Sequence, residues 1–457
     1  MKILLTHGYF LEEDAKEKSI MRPYPTLGLL YVSGYLKNKG VEHDVFDTTF
    51  SSTDLLRKHI KNTRPNVIAF YTNLMTKVKV IEFIRFIRNN ENLKETKIVL
   101  GGPDITYNKN NYLKTGADYL IIGEGEETFC ELVTALKSNS SVGEIGGLAY
   151  IEEGELTVNA PRVKMKELEN LPLPNRSAYP IHKYLETWKT YHGESALNIS
   201  TQRGCPYTCK WCSTAVYGQS YRRRSAISVV EELQLLIKEY NPDTFWFVDD
   251  VFTVSHKWLE EFHQEILASG IKIKYECITR AERMNDKVIQ WLKETGCFRV
   301  WIGAESGSQK VIDAMDRRVK VSQVKDMLIR TKAAGISTGT FIMVGYPGET
   351  LQDIHTTARY LESSLPDYFT ITKSYPIKGT RLYDDIESEI TKQPDWFTST
   401  DREIDFKRPY SDRFYDLAVR YIHNRVQVKR NELTGQPNWK AKTKVMVSKL
   451  GLQLLAI

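Results

Sequence analysis

The sequence predicts an α/β protein: a doubly wound parallel sheet, then a partial (β/α)6 barrel, then a short and mostly helical tail. Three observations carry this expectation. Short, near-continuously apolar runs alternate with helical periodicity through the first 150 residues or so. The alternation breaks between Glu152 and Arg176. A second series of six strand candidates, with helical stretches between them, then follows.

In the first series, Lys2–Thr6 is a buried-type strand, and "TLGLLYVSGYLKNKG" (Thr26–Gly40) has apolar residues at helical spacing with a glycine stop. Strands are then expected at His43–Phe46, Asn66–Tyr71, Lys97–Leu100 and Tyr119–Ile122, with helices at Lys79–Asn89 and Glu126–Lys137. In a parallel sheet, ligands bind beyond the carboxyl ends of the strands. Three loops lie there. They are "YTNLMT" with Tyr71, Asn73, Leu74 and Met75, "GGPD" with Gly101 and Gly102, and "GEGEET" with Gly123, Glu124, Gly125 and Glu126. Their glycines admit a close-lying ligand, and they serve equally well as plain turn residues.

Leu148–Val158 reads as a hairpin around Glu153-Gly154, and Leu171–Arg176 as a proline-punctuated linker. The second series has strands at Leu197–Thr201, Thr244–Val248, Ile273–Cys277, Arg299–Ala304, Thr338–Val344 and Tyr368–Lys373. Its plainest helix is Ala226–Tyr240, with Ile227, Val230, Leu233, Ile237 and Tyr240 on one face, Ser225 as its cap and Asn241-Pro242 as its stop. Phe414–Leu433 is a further helix. The basic, amphipathic end is expected to pack as a helix with solvated lysines, the alternative being a helix lying on a membrane surface. The domain limits expected are 1–150, 151–185 (hairpin and linker), 186–385 and 386–457.

Composition bounds the function. With 41% hydrophobic and 26% charged residues the chain reads as globular, and a net charge of +6 over 457 residues is too mild to indicate nucleic acid. No apolar run approaches the ~18 residues of a transmembrane helix. The N-terminus reads as a strand and not as a signal peptide, so a cytoplasmic protein with reduced thiols is expected.

Three of the six cysteines then stand out. Cys205, Cys209 and Cys212, in "RGCPYTCKWCS", follow the first strand of the second series, where a barrel places its chemistry. A structural zinc site wants four closed ligands; His192 is the available fourth, so zinc stays open. Three thiolates with one open position fit an iron–sulfur cluster whose fourth iron binds something else. Elsewhere, Asp249 and Asp250 end the second strand, Glu305 and Ser306 follow the fourth, and "GYPGET" with Gly345 follows the fifth. The aspartates serve equally as helix caps, and Pro347 and Gly348 as turn residues. One of the arginines in "YRRRS" could pair with a carboxylate, but for each of them a solvated surface position is the expectation.

C-x-x-x-C-x-aromatic-C, with Trp211 as the aromatic residue, resembles the signature of the radical S-adenosylmethionine enzymes. "FWFVDDVFT", "VWIGAESGSQKVIDAM", "FIMVGYPGET" and "PIKGTRLY", together with the N-terminal "PTLGLLYVSGYL", "GGPD" and "GEGEETF", are similar to the subfamily with an N-terminal cobalamin-binding domain. The resemblance spans roughly residues 1 to 385. It implies a first sheet of flavodoxin-like order. It also implies a [4Fe–4S] cluster on the three cysteines, S-adenosylmethionine on the open iron, and reductive formation of a 5′-deoxyadenosyl radical. Asp249 or Asp250 would meet the methionine amino group. Glu305 and Ser306 would meet ribose or methionine, Gly345 the adenine, and Trp211 would be a wall near the nucleoside, with Pro206 and Tyr207 as spacers. The three N-terminal loops would hold cobalamin. No D-x-H-x-x-G string is present in the first domain, so no histidine is expected on cobalt. Methylation of an unactivated carbon or of phosphorus in a small-molecule substrate is the expected reaction. Radical oxidation or cyclisation, as in the anaerobic porphyrin cyclases, is the alternative within enzymes, and a cluster-bearing sensor the alternative outside them. An external flavodoxin- or ferredoxin-type protein would supply the electron.

Overall fold

The structure is a computed structural model and describes residues 1–213 and 217–456. The chain divides into two compact units: Met1–Pro206, Ser213–Phe245 and Pro394–Glu403 in one, and Tyr207–Cys212, Trp246–Gln393 and Ile404–Ile457 in the other.

The first unit opens with β1 (Ile3–His7), α1 (Ala15–Ile20), α2 (Leu27–Asn38), β2 (Asp44–Phe46), α3 (Thr53–Thr63), β3 (Val67–Tyr71) and α4 (Lys77–Arg88). It continues with β4 (Lys97–Gly101), α5 (Lys109–Lys114), β5 (Tyr119–Ile121), α6 (Glu126–Ser138), β6 (Leu148–Glu152) and β7 (Glu155–Val158). The sheet order is β2-β1-β3-β4-β5-β6-β7, parallel through β5 and antiparallel beyond it. This is the expected doubly wound order, and the hairpin at Leu148–Val158 extends the sheet. Leu4, Ile68, Phe70, Ile98, Leu100 and Leu120 are at most 2% exposed, which is why these strands read as unbroken apolar runs. Helix α4 buries Val80, Ile81, Ile84 and Ile87 in the same core. Each such side chain contributes roughly 2 kcal/mol by leaving water. Ser52 starts α3 by accepting the Leu55 N–H at 3.2 Å, and Arg64 ends it in the left-handed region.

Next come α7 (Ile181–His192), β8 (Ala196–Ile199), β9 (Gln202–Arg203), β10 (Arg222–Arg223), α8 (Ala226–Tyr240), β11 (Thr244–Phe247), α9 (His256–Ser269), β12 (Tyr275–Thr279), α10 (Asp286–Glu294) and β13 (Cys297–Glu305). They are followed by α11 (Gln309–Ala314), α12 (Val321–Ala333), β14 (Ser337–Val344), α13 (Leu351–Ser364), β15 (Tyr368–Lys373), α14 (Arg381–Ile386), β16 (Ile390–Lys392), β17 (Asp405–Phe406), α15 (Asp412–Thr434) and α16 (Trp439–Leu455). The second sheet runs β15-β14-β13-β12-β11-β8, with β12 to β15 parallel. Strands in sequential order, joined by helices and ending at two unpaired edges, make the partial barrel that the sequence predicts. Ser225 caps α8 as expected, accepting the Ser228 N–H at 3.3 Å. The buried face of α8 differs from the one read off the sequence. Ala226, Val229, Val230, Leu233 and Leu236 face inward, and Ile227 is 54% exposed. A face drawn through every large apolar residue missed that Ala226 and Glu232 also turn inward, Glu232 on the strength of its arginine partners.

Where α10 turns into β13, Gly296 has φ +91°, and a Cβ there would stand 1.9 Å from the Ile273 carbonyl oxygen. Gly335, at φ +87°, has open space around it. Gly296→Ala is expected to cost about 2–4 kcal/mol and Gly335→Ala about 1 kcal/mol, read as the fall in thermal midpoint of each variant.

Candidate active site

In the first unit, the carboxyl ends of β3, β4 and β5 bring Tyr71, Gly101 and the Gly123 turn to one edge of the sheet. After β3 the chain makes a tight turn. The Asn73 side chain accepts the N–H groups of Met75 and Thr76 at 2.9 and 3.0 Å, and Thr76 accepts the Asn73 N–H at 2.9 Å. Leu74 is half-buried and Met75, 40% exposed, stands at the tip. After β4, Gly102 has φ +121°, and a Cβ there would lie 2.2 Å from the Thr72 carbonyl oxygen, so the two loops touch backbone to backbone. After β5, the carboxylates of "GEGE" are already taken. Glu126 pairs with Arg203, and Glu124 with Arg222 and, at 3.6 Å, Arg203. Gly123 and Gly125 offer only backbone.

These pairs correct the solvated reading of the arginines. Arg224 is 7% exposed and pairs with Glu232, which Arg176 also reaches at 3.5 Å, while Arg223 donates to Thr201 Oγ1 at 3.0 Å. His192 leaves the zinc reading without its fourth ligand. Its Nε2 lies 3.1 and 3.0 Å from the carbonyls of Ile20 and Met21. Cys205, buried, follows the short pairing of β9 with β10.

The second unit holds the rest of the cysteine loop. Lys210 donates its N–H to the Met315 carbonyl at 3.1 Å, its carbonyl accepts from Leu382 at 2.9 Å, and Cys212 donates its N–H to the Cys209 carbonyl at 3.2 Å. Trp211 packs against the small cluster of Val311, Met315, Tyr346, Leu382, Ile386 and Phe406. Arg280, one residue beyond β12, donates from Nη1 to Cys209 Sγ at 3.1 Å. Its Nε goes to Glu282 and its Nη2 to the Arg317 carbonyl, and its plane covers the Tyr207 ring at 3.8 Å. Tyr207, expected as a spacer, is a platform for that guanidinium, and its hydroxyl accepts from Arg283 at 2.5 Å. The six cysteines are all free thiols. Among the described residues no three His, Cys, Asp or Glu side chains are gathered tightly enough to hold a metal ion unaided.

The other candidate residues end or follow β11, β13 and β14. Strand β11 stops before the aspartate pair. Asp249 is 2% exposed, whereas Asp250 opens to solvent from a walled position, and that crowding, with the Asp249 charge, raises its pKa. The register of β13 against β14 slips between Gly303 and Glu305, a bulge that re-aims Glu305. Glu305 sits at φ +63°, and burial raises its carboxyl to about 7, against the opposing pull of Arg317 and Arg280. Ser306 is committed elsewhere: its hydroxyl lies 3.1 Å from that of Thr357 and accepts the Ser308 N–H at 3.1 Å. Gly345 backs onto the Tyr415 ring and donates its N–H to Glu349 at 2.6 Å.

Arg280, Glu282 and Glu349 were not among the sequence candidates. The signal for the first two was position, since "TRAE" follows a barrel strand just as the aspartate and Glu305 motifs do. Burial raises the Glu349 carboxyl from 4.5 to about 8, so the folded state holds a proton that the unfolded chain releases near 4.5. Stability therefore falls as pH rises from about 4.5 to 8. Glu349→Gln, which keeps an acceptor for Gly345, should remove on the order of 2 kcal/mol of that loss, narrowing the gap between thermal midpoints at pH 5 and pH 9.

Residues 199–361 match the family model of the radical SAM superfamily, and residues 19–133 that of the B12 binding domain. The chain is 29% identical over 449 residues to an uncharacterized methyltransferase of Pyrococcus horikoshii, covering 94% of each. It is 24% identical over 406 residues to the anaerobic magnesium-protoporphyrin IX monomethyl ester cyclase of Cereibacter sphaeroides, covering 85% of this chain and 64% of that one. The structure of the radical S-adenosylmethionine methyltransferase TsrM of Kitasatospora setae, with cobalamin and a [4Fe-4S] cluster bound, shares the fold. Its TM-score is 0.71 over 85% of this chain and 74% of TsrM, at 17% identity. With a B12-binding domain ahead of a radical SAM domain, the chain belongs to the branch of the radical S-adenosylmethionine superfamily that carries an N-terminal cobalamin-binding domain.

Proposed function

We propose that this protein is a cobalamin-dependent radical S-adenosylmethionine methyltransferase acting on a small molecule. The observation that carries the reading is the cysteine loop: free thiols after the first barrel strand, with the Arg280 guanidinium on Cys209. The donor set suits the cluster. Cys205, Cys209 and Cys212 supply three thiolates, and the Arg280 guanidinium holds the middle sulfur in place. When bound, the cluster delivers one electron to S-adenosylmethionine, and cobalamin carries the methyl group.

The chain's own residues do the rest. Asp250, open and crowded by Asp249, gains most from an arriving ammonium, so it receives the methionine amino group. Glu305, poised near neutrality by burial, meets the ribose hydroxyls, and Gly345 and Trp211 shape the nucleoside wall. Ser306, with its hydroxyl engaged, holds the Glu305 loop against α13. In the first domain, Tyr71, Asn73, Leu74 and Met75, with Gly101, Gly102 and the backbone of Gly123–Glu126, cradle cobalamin. The Asn73–Met75 region would offer cobalt no strong ligand. The domains are 1–150, 151–185, 186–385 and 386–457. The protein works in the cytoplasm, with a flavodoxin- or ferredoxin-type donor. Among the described residues no helix is long and apolar enough to cross a membrane. The likeness to the anaerobic cyclase supports oxidation or cyclisation as a second reading.

Anaerobic reconstitution with iron, sulfide and cobalamin, followed by reduction with S-adenosylmethionine, tests this. Both 5′-deoxyadenosine and S-adenosylhomocysteine are expected, and Cys209→Ala should abolish the deoxyadenosine. Deoxyadenosine without S-adenosylhomocysteine would replace methylation by the second reading. Deoxyadenosine from Cys209→Ala would remove the cluster assignment.

A further inference from the structure

Helix α16 is apolar on two faces, and only one of them is used. Ala441, Ser448 and Leu452 are buried, and α16 lies so close to α15 that a Cβ at Gly451 would stand 2.7 Å from Leu417 Cδ1. Across the helix, Trp439, Met446, Val447, Leu450 and Leu454 recur at intervals of 7, 1, 3 and 4 residues. At about 100° per residue these positions fall within one narrow arc. Their exposures are 68%, 58%, 58%, 53% and 73%. This continuous apolar stripe favours the membrane-surface alternative over the packing helix with solvated lysines.

The charges about it are of one sign. Lys440 and Lys444 border the stripe on one side and Lys442 and Lys449 on the other, and α16 contains no Asp or Glu. All four lysines are exposed; Lys442 reaches Glu432 on α15 at 3.7 Å. A second copy of this helix would set lysines against lysines. An anionic phospholipid surface offers the complement. Its acyl boundary takes the apolar arc, and its phosphates take ammonium groups carried outward on flexible stems. At 17 residues, or about 25 Å, the helix suits lying in the plane of the interface.

We propose that α16 is an in-plane membrane-binding helix, which docks the enzyme on an anionic phospholipid surface through Trp439, Met446, Val447, Leu450 and Leu454. The proposal stands apart from the chemistry of the barrel.

Flotation of the full chain with vesicles of mixed phosphatidylglycerol and phosphatidylcholine, and with phosphatidylcholine alone, tests it. Binding to the anionic vesicles is expected, falling about tenfold in Leu450→Glu and in Leu454→Glu. It should fall about fivefold for each of Lys444→Gln and Lys449→Gln, and be weak on the neutral vesicles. These side chains are exposed, so unchanged circular dichroism and thermal midpoints show that each variant is folded. Absence of binding, or binding that the variants leave unchanged, overturns the proposal. So does a dimer in light scattering that Leu450→Glu dissolves while vesicles remain unbound, since the stripe would then cover a second copy.

Discussion

The site depends on one buried cation. Arg280 has each of its three nitrogens engaged: Nη1 with the Cys209 sulfur, Nη2 with the Arg317 carbonyl and Nε with Glu282. Its flat face lies on Tyr207. A guanidinium that is 5% exposed costs several kcal/mol to desolvate unless it is met in this way. Lysine could not reproduce the arrangement, because its ammonium is a point charge without the planar fork. The consequence is positional. The cysteine loop has almost no regular structure of its own, and Arg280 ties its middle thiol to the end of β12. Glu282 then links Arg280 to Arg317 at 3.4 Å, and Arg317 donates to the Gly303 carbonyl at the β13 bulge that aims Glu305. One hydrogen-bonded chain thus runs from a thiol to the backbone of the bulge that precedes Glu305.

The chain on either side of the loop is held by charge as well. Arg203 precedes Cys205 and pairs with Glu126, and Arg222 and Arg224 follow the loop and pair with Glu124 and Glu232. Buried pairs of this kind add little net stability, but removing one partner strands the other at a cost of about 3–5 kcal/mol. Their effect here is specificity. They fix where the loop begins and ends, and they tie the "GEGE" turn of the first sheet to the segment that leads into the thiols. Two elements that each read as a ligand loop are therefore joined through side chains.

Much of the fold was legible because it rests on local signals. Apolar runs of four to six residues gave the parallel strands, Ser225 and Asn241 bounded α8, and cysteine spacing pointed to the candidate site. What escaped depends on partners distant in the chain. Arg203 and Glu126 are 77 residues apart, and Arg280 and Cys209 are 71 apart, so neither pair has a sequence signature. The arginines of "YRRRS" look solvated until Glu124 and Glu232 arrive from elsewhere. The facing of α8 followed from a buried glutamate that periodicity treats as polar. Ser306 looked equivalent to Glu305, yet the Gly303 bulge and Thr357 give the two opposite fates.

The account turns on a site with three thiolates and one open position, and the most direct measurement is electron–nuclear double resonance of the reduced, reconstituted protein with S-adenosylmethionine labelled with ¹⁵N at the amino group and ¹⁷O at the carboxylate. The account predicts hyperfine coupling of both labels to a [4Fe–4S] cluster. A cluster whose spectrum is indifferent to the labelled molecule would contradict it.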